Sequence, residues 1–167
     1  MRPFVANGSR SEVRAGLRYA AGMKFPVHIP FVELLGFELL RWEDDEAEIR
    51  FDAGPDHLNS FSVVHGGATM TLLDVAMAHA ARSGMPEMGA VTIEMKTSFL
   101  QAARGPLLAK ARVLHRSATM AFTEGQVFDA EGRLCCHATG TFKCIRRLPV
   151  GARQLQGLNG AEPVRTD

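Results

Sequence analysis

Between Gly66 and Ser83 the chain carries a segment that, wound as a helix, is apolar most of the way round. Ala68, Ala76, Ala78, Ala80 and Ala81 stand among Leu72, Leu73, Val75 and Met77. A helix without a wet face has to be buried on several sides. Its small side chains let whatever covers it approach closely. The segment starts at the pair Gly66-Gly67 and stops at Gly84, with Pro86 just beyond, as helix ends prefer. The rest of the chain must therefore supply a cover for one central helix.

That cover is β-patterned. Ahead of the helix, Phe37 to Trp42 reads as a strand and Asp44-Asp45 as a turn. Ala47, Ile49 and Phe51 then alternate with Glu46, Glu48, Arg50 and Asp52, the period of a strand with one buried face. Phe31 to Leu35 forms a short helical turn that Gly36 can end. After the helix, Val91, Ile93 and Met95 alternate with Thr92, Glu94 and Lys96. Leu107, Ala109, Ala111 and Val113 alternate with Leu108, Lys110, Arg112 and Leu114. Met120 to Phe128 and Leu134 to Phe142 follow, joined through Asp129-Ala130-Glu131-Gly132. Long strands with short turns make an antiparallel meander. The expected class is α+β, one long buried helix wrapped by a curved antiparallel sheet of about five to six strands. A sheet of this kind has open edges that pairing with a second copy would cover.

At 167 residues the chain is expected to hold one domain, from about 25 to 148, with an N-terminal arm or short helix over 1–24 and a flexible tail over 149–167. A formal net charge of +1 argues against nucleic acid as a partner. No apolar run is long enough to suggest a membrane span, and the first residues do not read as a signal peptide. The expected location is the cytoplasm. Cys135, Cys136 and Cys144 show no metal-ligand spacing and are expected to be reduced, structural thiols. No metal is expected.

One carboxylate, Asp74, interrupts the apolar helix. An apolar surround can raise a carboxyl pKa toward a range useful for base catalysis. Gly66 offers an unobstructed N–H at the helix start, where the helix dipole favours negative charge. A bare amide at a helix start followed by an acid on the helix body is a plausible catalytic layout. Each residue also has a structural reading. Asp74 could be a buried hydrogen-bonding group, Gly66-Gly67 a tight turn, His65 a helix cap, Asn59 a turn residue and Thr92 a strand former.

The string Asn59-(five residues)-His65-Gly66-Gly67-(six residues)-Asp74 resembles the hotdog-fold acyl-CoA thioesterases, of the phenylacetic-acid-degradation and thioesterase-superfamily-member-2 type. The likeness runs from about Pro30 to Lys143. Val91 to Leu100 looks like the family strand after the helix, and Thr119 to Thr123 like its penultimate strand. The resemblance implies a hotdog fold and five catalytic residues. Gly66 would polarise the thioester carbonyl, Asn59 and His65 would hold the carbonyl or thiolate end, Asp74 would act as base or nucleophile, and Thr92 would orient water. It also implies acyl-CoA as substrate, no separate cofactor, and a homo-oligomer, dimer or tetramer. Gly67, Met70, Leu73, Met77 and Phe99 become candidates for the substrate channel. Arg104, Arg116, Ser117, Thr119 and Lys143 become candidates for the coenzyme A phosphates, where arginine's forked donors suit the chemistry. Many relatives carry a proline soon after the Phe-Leu pair, where this chain has Gln101-Ala102-Ala103-Arg104-Gly105-Pro106.

Gly66 and Asp74 lie eight residues apart. On one helix that is ~12 Å along the axis. One carbonyl cannot reach the first while a water held by the second attacks it. A two-fold axis between antiparallel helices would bring Gly66 of one chain to Asp74 of the other, giving two shared sites per dimer. Two other functions are compatible with these residues: a hotdog-fold hydratase or dehydratase using His65 and Asp74, and a non-catalytic acyl-CoA-binding protein.

Overall fold

The computed structural model describes residues 22–146; the expected N-terminal arm or short helix, but for residues 22–24, and the expected tail over 149–167 lie outside them. The elements are α1 (Pro30–Leu35), β1 (Phe37–Glu43), β2 (Glu46–Asp52), a 3-10 turn (Pro55–His57), α2 (Gly66–Ala81), β3 (Met88–Phe99), β4 (Pro106–Arg116), β5 (Met120–Phe128) and β6 (Leu134–Arg146). The six strands form one sheet in the order β1-β2-β4-β5-β6-β3, with every pair antiparallel. The expected α+β hotdog layout is present, with six strands around one long helix.

Local chemistry accounts for the joints. Asp44 and Asp45 both hold positive φ, 51° and 59°, so the β1–β2 hairpin turns through two left-handed residues, which aspartate tolerates. Gly36 ends α1 at φ 71° and bonds back to Glu33 and Val32. In the β5–β6 turn, Asp129 Oδ1 accepts from the amides of Glu131 and Arg133, and Gly132 takes φ 74°.

α2 is buried along most of its length: Leu72, Leu73, Ala76, Met77, Ala80 and Ala81 have no exposed surface. The sheet presses on it where side chains are absent. A Cβ on Gly125 would meet Leu73 and Met77 at 3.1 Å, and one on Gly140 would meet Met77 at 3.3 Å. The far end of α2 is tied down by polar contacts. The Trp42 indole donates to the His79 carbonyl, and Arg116 Nη1 to the Ala81 carbonyl at 2.5 Å. Cys135, Cys136 and Cys144 are buried free thiols, and burial pushes the first two up to about 11 and about 12. Among the described residues no helix is long and apolar enough to cross a membrane.

β3 departs from the sequence reading. Its pairing with β6 shifts between Thr92 and Glu94, which leaves Ile93 bulged. Strict alternation would keep Val91, Ile93 and Met95 on one buried face. Instead Val91 and Ile93 are 46% and 55% exposed. Thr92, opposite the fully buried Phe142, and Met95, opposite Gly140, both face α2. One extra residue reverses the parity of everything after it. β3 is also an edge strand, twelve residues long.

Candidate active site

The loop entering α2 is held by its own polar groups. Asn59 Oδ1 accepts from the amides of Phe61 (2.9 Å) and Val63 (3.4 Å), and the Asn59 backbone exchanges bonds with Val63 and Ser62. Ser62 is thereby placed at φ 54°. Arg104 Nη1 donates to the Ser62 carbonyl at 3.0 Å, the Val64 amide to Ala103, and the His65 amide to His57. The turn reading of Asn59 is thus correct as local structure, and the same residue lines the cavity at the helix start.

His65 is the N-cap. Its Nδ1 accepts from the Gly67 amide at 2.9 Å, which places the proton of the neutral ring on Nε2. A Cβ at Gly67 would meet that ring at 3.0 Å, so glycine is what lets the histidine fold back over the helix end. Gly67's N–H is spent on this cap. Gly66 stands first in the helix, where the intrahelical ladder leaves its N–H unbonded. It opens on a cavity of about 420 Å3 shared with Asn59, Thr69, Phe99, Gln101 and Cys136. The Phe99 ring lies over Gly66, 3.4 Å from where a Cβ would stand.

Asp74 sits two turns further on, and Thr92 Oγ1 donates to its Oδ1 at 2.7 Å. Thr92 reaches it because it stands opposite the inward-facing Phe142, and the Ile93 bulge then brings Met95 onto the same face. Burial raises the Asp74 carboxyl above the usual carboxylate range, and Thr92's hydrogen bond pulls the other way by favouring the ionised form. Asp74 opens on a second cavity, of about 500 Å3, with Met70, Val75, Met95 and three residues at and before the start of α1. Within one protomer the amide and the acid therefore face different cavities.

Several expected substrate residues are placed elsewhere. Leu73 and Met77 are fully buried beneath α2 against Gly125, and they line neither cavity. Helical position alone does not distinguish the side of α2 that faces its own sheet from the side that faces the cavities. Arg116 is committed to the Ala81 carbonyl and to Asp45 Oδ1, each at 2.5 Å, so it caps α2 instead of standing free for a phosphate. Ser117 closes the β4–β5 turn onto Met120, and the Thr119 carbonyl accepts from Cys144. Lys143 is exposed between the inward-facing Phe142 and Cys144, so it points away from the helix. Arg104 stays beside the Asn59 loop and is exposed. Residues the sequence reading passed over are Thr69, Gln101 and Cys136 at the first cavity, and Met95 and Phe31 at the second. A proline-led turn beside an amphipathic Phe-Val-Glu-Leu-Leu was the available signal for Phe31, and the alternation that sets Met95 inward was the signal for Met95.

An amide donor aimed into a cavity and a carboxylate made more basic by burial are the equipment of a hydrolase acting on activated acyl groups. The chain belongs to the thioesterase superfamily, whose family model matches residues 61–136. It is, by class, a thioester hydrolase. Its fold matches the conserved protein PA5202 from Pseudomonas aeruginosa at a TM-score of 0.68 and 30% identity, over 72% of this chain and 97% of that one. The PaaI protein of Escherichia coli, from the phenylacetic acid degradation operon, shares the fold at a TM-score of 0.67 and 21% identity, over 71% and 86% of the two chains. In sequence, the medium/long-chain acyl-CoA thioesterase YigI of Escherichia coli K12 is 26% identical over 140 residues, 72% of this chain and 89% of the relative.

Proposed function

We propose that the chain hydrolyses acyl-CoA thioesters to the free acid and coenzyme A, at two sites shared across a homodimer. The observation that carries this reading is the division of labour along α2: Gly66 and Asp74 open on separate cavities of one protomer. The reaction needs both at one carbonyl. An antiparallel pairing of two α2 helices supplies Gly66 from one chain and Asp74 from the other. The long β3 edge, with Val91 and Ile93 exposed on it, is the natural seam, because an unpaired strand of this length otherwise invites association.

In the shared site the thioester carbonyl accepts from the Gly66 N–H. Thr92 occupies one oxygen of Asp74 and leaves the other to bind a water. Asp74 takes that water's proton as its oxygen attacks the carbonyl carbon, and the charge on the carbonyl oxygen is met by the amide. Collapse breaks the C–S bond, and the proton returns to the departing thiolate. Asn59, Gln101 and Arg104 give the Gly66 side polar partners suited to the amides and phosphates of the coenzyme A arm. The similarity to YigI, an acyl-CoA thioesterase, supports the substrate class.

The test is release of free thiol, followed with a thiol reagent, from a panel of acyl-CoA substrates. Asp74→Asn should lower kcat by about 100- to 10,000-fold, the usual range for a general base. Water addition to an enoyl-CoA without thiol release would identify a hydratase instead. Unchanged turnover in Asp74→Ala would remove the acid from the mechanism.

A further inference from the structure

The cavity beside Asp74 has a chemical character of its own. Its walls include Ile29, Phe31, Met70, Val75 and Met95. The donors at its edge, and one oxygen of Asp74, are already engaged. Thr71 Oγ1 donates to the Gly67 carbonyl at 2.9 Å, the Gly67 amide bonds His65, and Asp74 accepts from Thr92. The other cavity differs, since Asn59, Thr69 and Gln101 bring an amide, a hydroxyl and a second amide to its wall. A thioester laid across the shared site would thus have a polar surround on one side of its carbonyl and an apolar one on the other. The loop that arrives with the partner's Gly66 also carries a phenylalanine at position 61, 80% exposed in the protomer.

We infer that the apolar cavity receives the acyl group and selects an unfunctionalised hydrocarbon, straight-chain or aryl, against the same group bearing a distal hydroxyl. The inference rests on the acyl-CoA reading above and goes beyond it by assigning the acyl chemistry. A hydroxyl entering the cavity gives up its water partners and meets no free donor, while the second Asp74 oxygen holds the attacking water, so its transfer is costly. The discrimination has a ceiling, because an apolar pocket rejects an added hydroxyl by only about 100-fold. Shape selection is weak by comparison: Met70 and Met95 are unbranched and adaptable, and Met70 is 38% exposed.

Matched pairs of substrates test this directly: octanoyl-CoA against 8-hydroxyoctanoyl-CoA, and phenylacetyl-CoA against 4-hydroxyphenylacetyl-CoA. In both pairs kcat/KM should fall about 10- to 100-fold on adding the hydroxyl. Met70→Gln, or Val75→Thr as the smaller change, puts a polar partner on the wall and should narrow the gap by improving the hydroxylated member. Equal kcat/KM within both pairs, or preference for the hydroxylated member, would overturn the inference while leaving the hydrolase intact. A gap that both variants leave unchanged would place the acyl group elsewhere and overturn it as well. Thiol release from none of the four would refute the acyl-CoA reading itself, and this inference with it.

Discussion

Removing the Thr92 hydroxyl should move the pH at which the protein becomes active. Thr92 Oγ1 donates to Asp74 Oδ1 at 2.7 Å, a bond that favours the carboxylate over the acid. Desolvation pushes in the opposite direction and is the larger effect. With Thr92→Val, burial acts unopposed and the pKa climbs further. A hydrogen bond to a charged group is worth about 1.5–3 kcal/mol, and one pKa unit about 1.36 kcal/mol. Water can replace part of the lost bond, because Thr92 is itself exposed, so the lower end applies: a rise of about one unit. In the proposed mechanism the base form is the active one, so the acidic limb of log(kcat/KM) should shift to higher pH by that amount. Thiol release from one good acyl-CoA, measured from pH 4 to 9, reads the limb. Thr92→Ser, which keeps the hydroxyl, should leave the limb in place. A Thr92→Val profile that drops evenly at every pH with its limb unmoved would refute the coupling and reduce Thr92 to a group that only aims the water.

Asp74→Asn should stabilise the fold while removing most of the turnover. A carboxyl whose folded pKa is raised favours the folded state at low pH, and that contribution is lost as pH rises through the folded value. The variant should therefore melt on the order of 2 °C above wild type at pH 7.5, with the gap closing below about pH 4, where the wild-type acid is protonated. Arg116→Gln should lower Tm and leave KM for acyl-CoA unchanged, because its guanidinium serves Ala81 and Asp45; a raised KM with unchanged Tm would restore it as a phosphate ligand.

The helix, the strands as segments of the chain and the turns were legible in the sequence because each rests on local chemistry; the sheet order was not, since β3 pairs with β6 at the edge and leaves the meander to β4, β5 and β6. Gly36 and Gly132 take the left-handed φ their turns need, and Ala47, Ile49 and Phe51 have no exposed surface, as alternation requires. The pairing of Thr92 with Asp74 is a tertiary fact set by which face of β3 meets α2, and no residue type announces it. The family pattern located Thr92, while simple alternation placed it on the wrong face. The misplacements share one cause. Leu73, Met77, Arg116 and Lys143 were judged by residue type and rough position, and their roles depend on which side of a helix or strand they occupy. His65 shows the converse. Its cap to Gly67 is legible in His-Gly-Gly once the amide geometry of a helix start is considered, and it leaves the Gly66 amide without an intrahelical partner.

The central claim is that each site takes its amide from one chain and its acid from the other. Gly66→Pro deletes the amide with little cost to the helix, since proline suits the first helical position and His65 at φ −59°, ψ 135° already has the backbone that precedes a proline. Asn59→Ala can be added to the same chain. Homodimers of this variant and of Asp74→Asn should each be nearly inactive. Heterodimers carrying one of each, purified with two different tags, hold one intact site and one doubly damaged site. They should recover about half the activity of the wild-type dimer, the one-in-two count that two-fold symmetry dictates. Verified heterodimers as inactive as both parents would contradict the shared site.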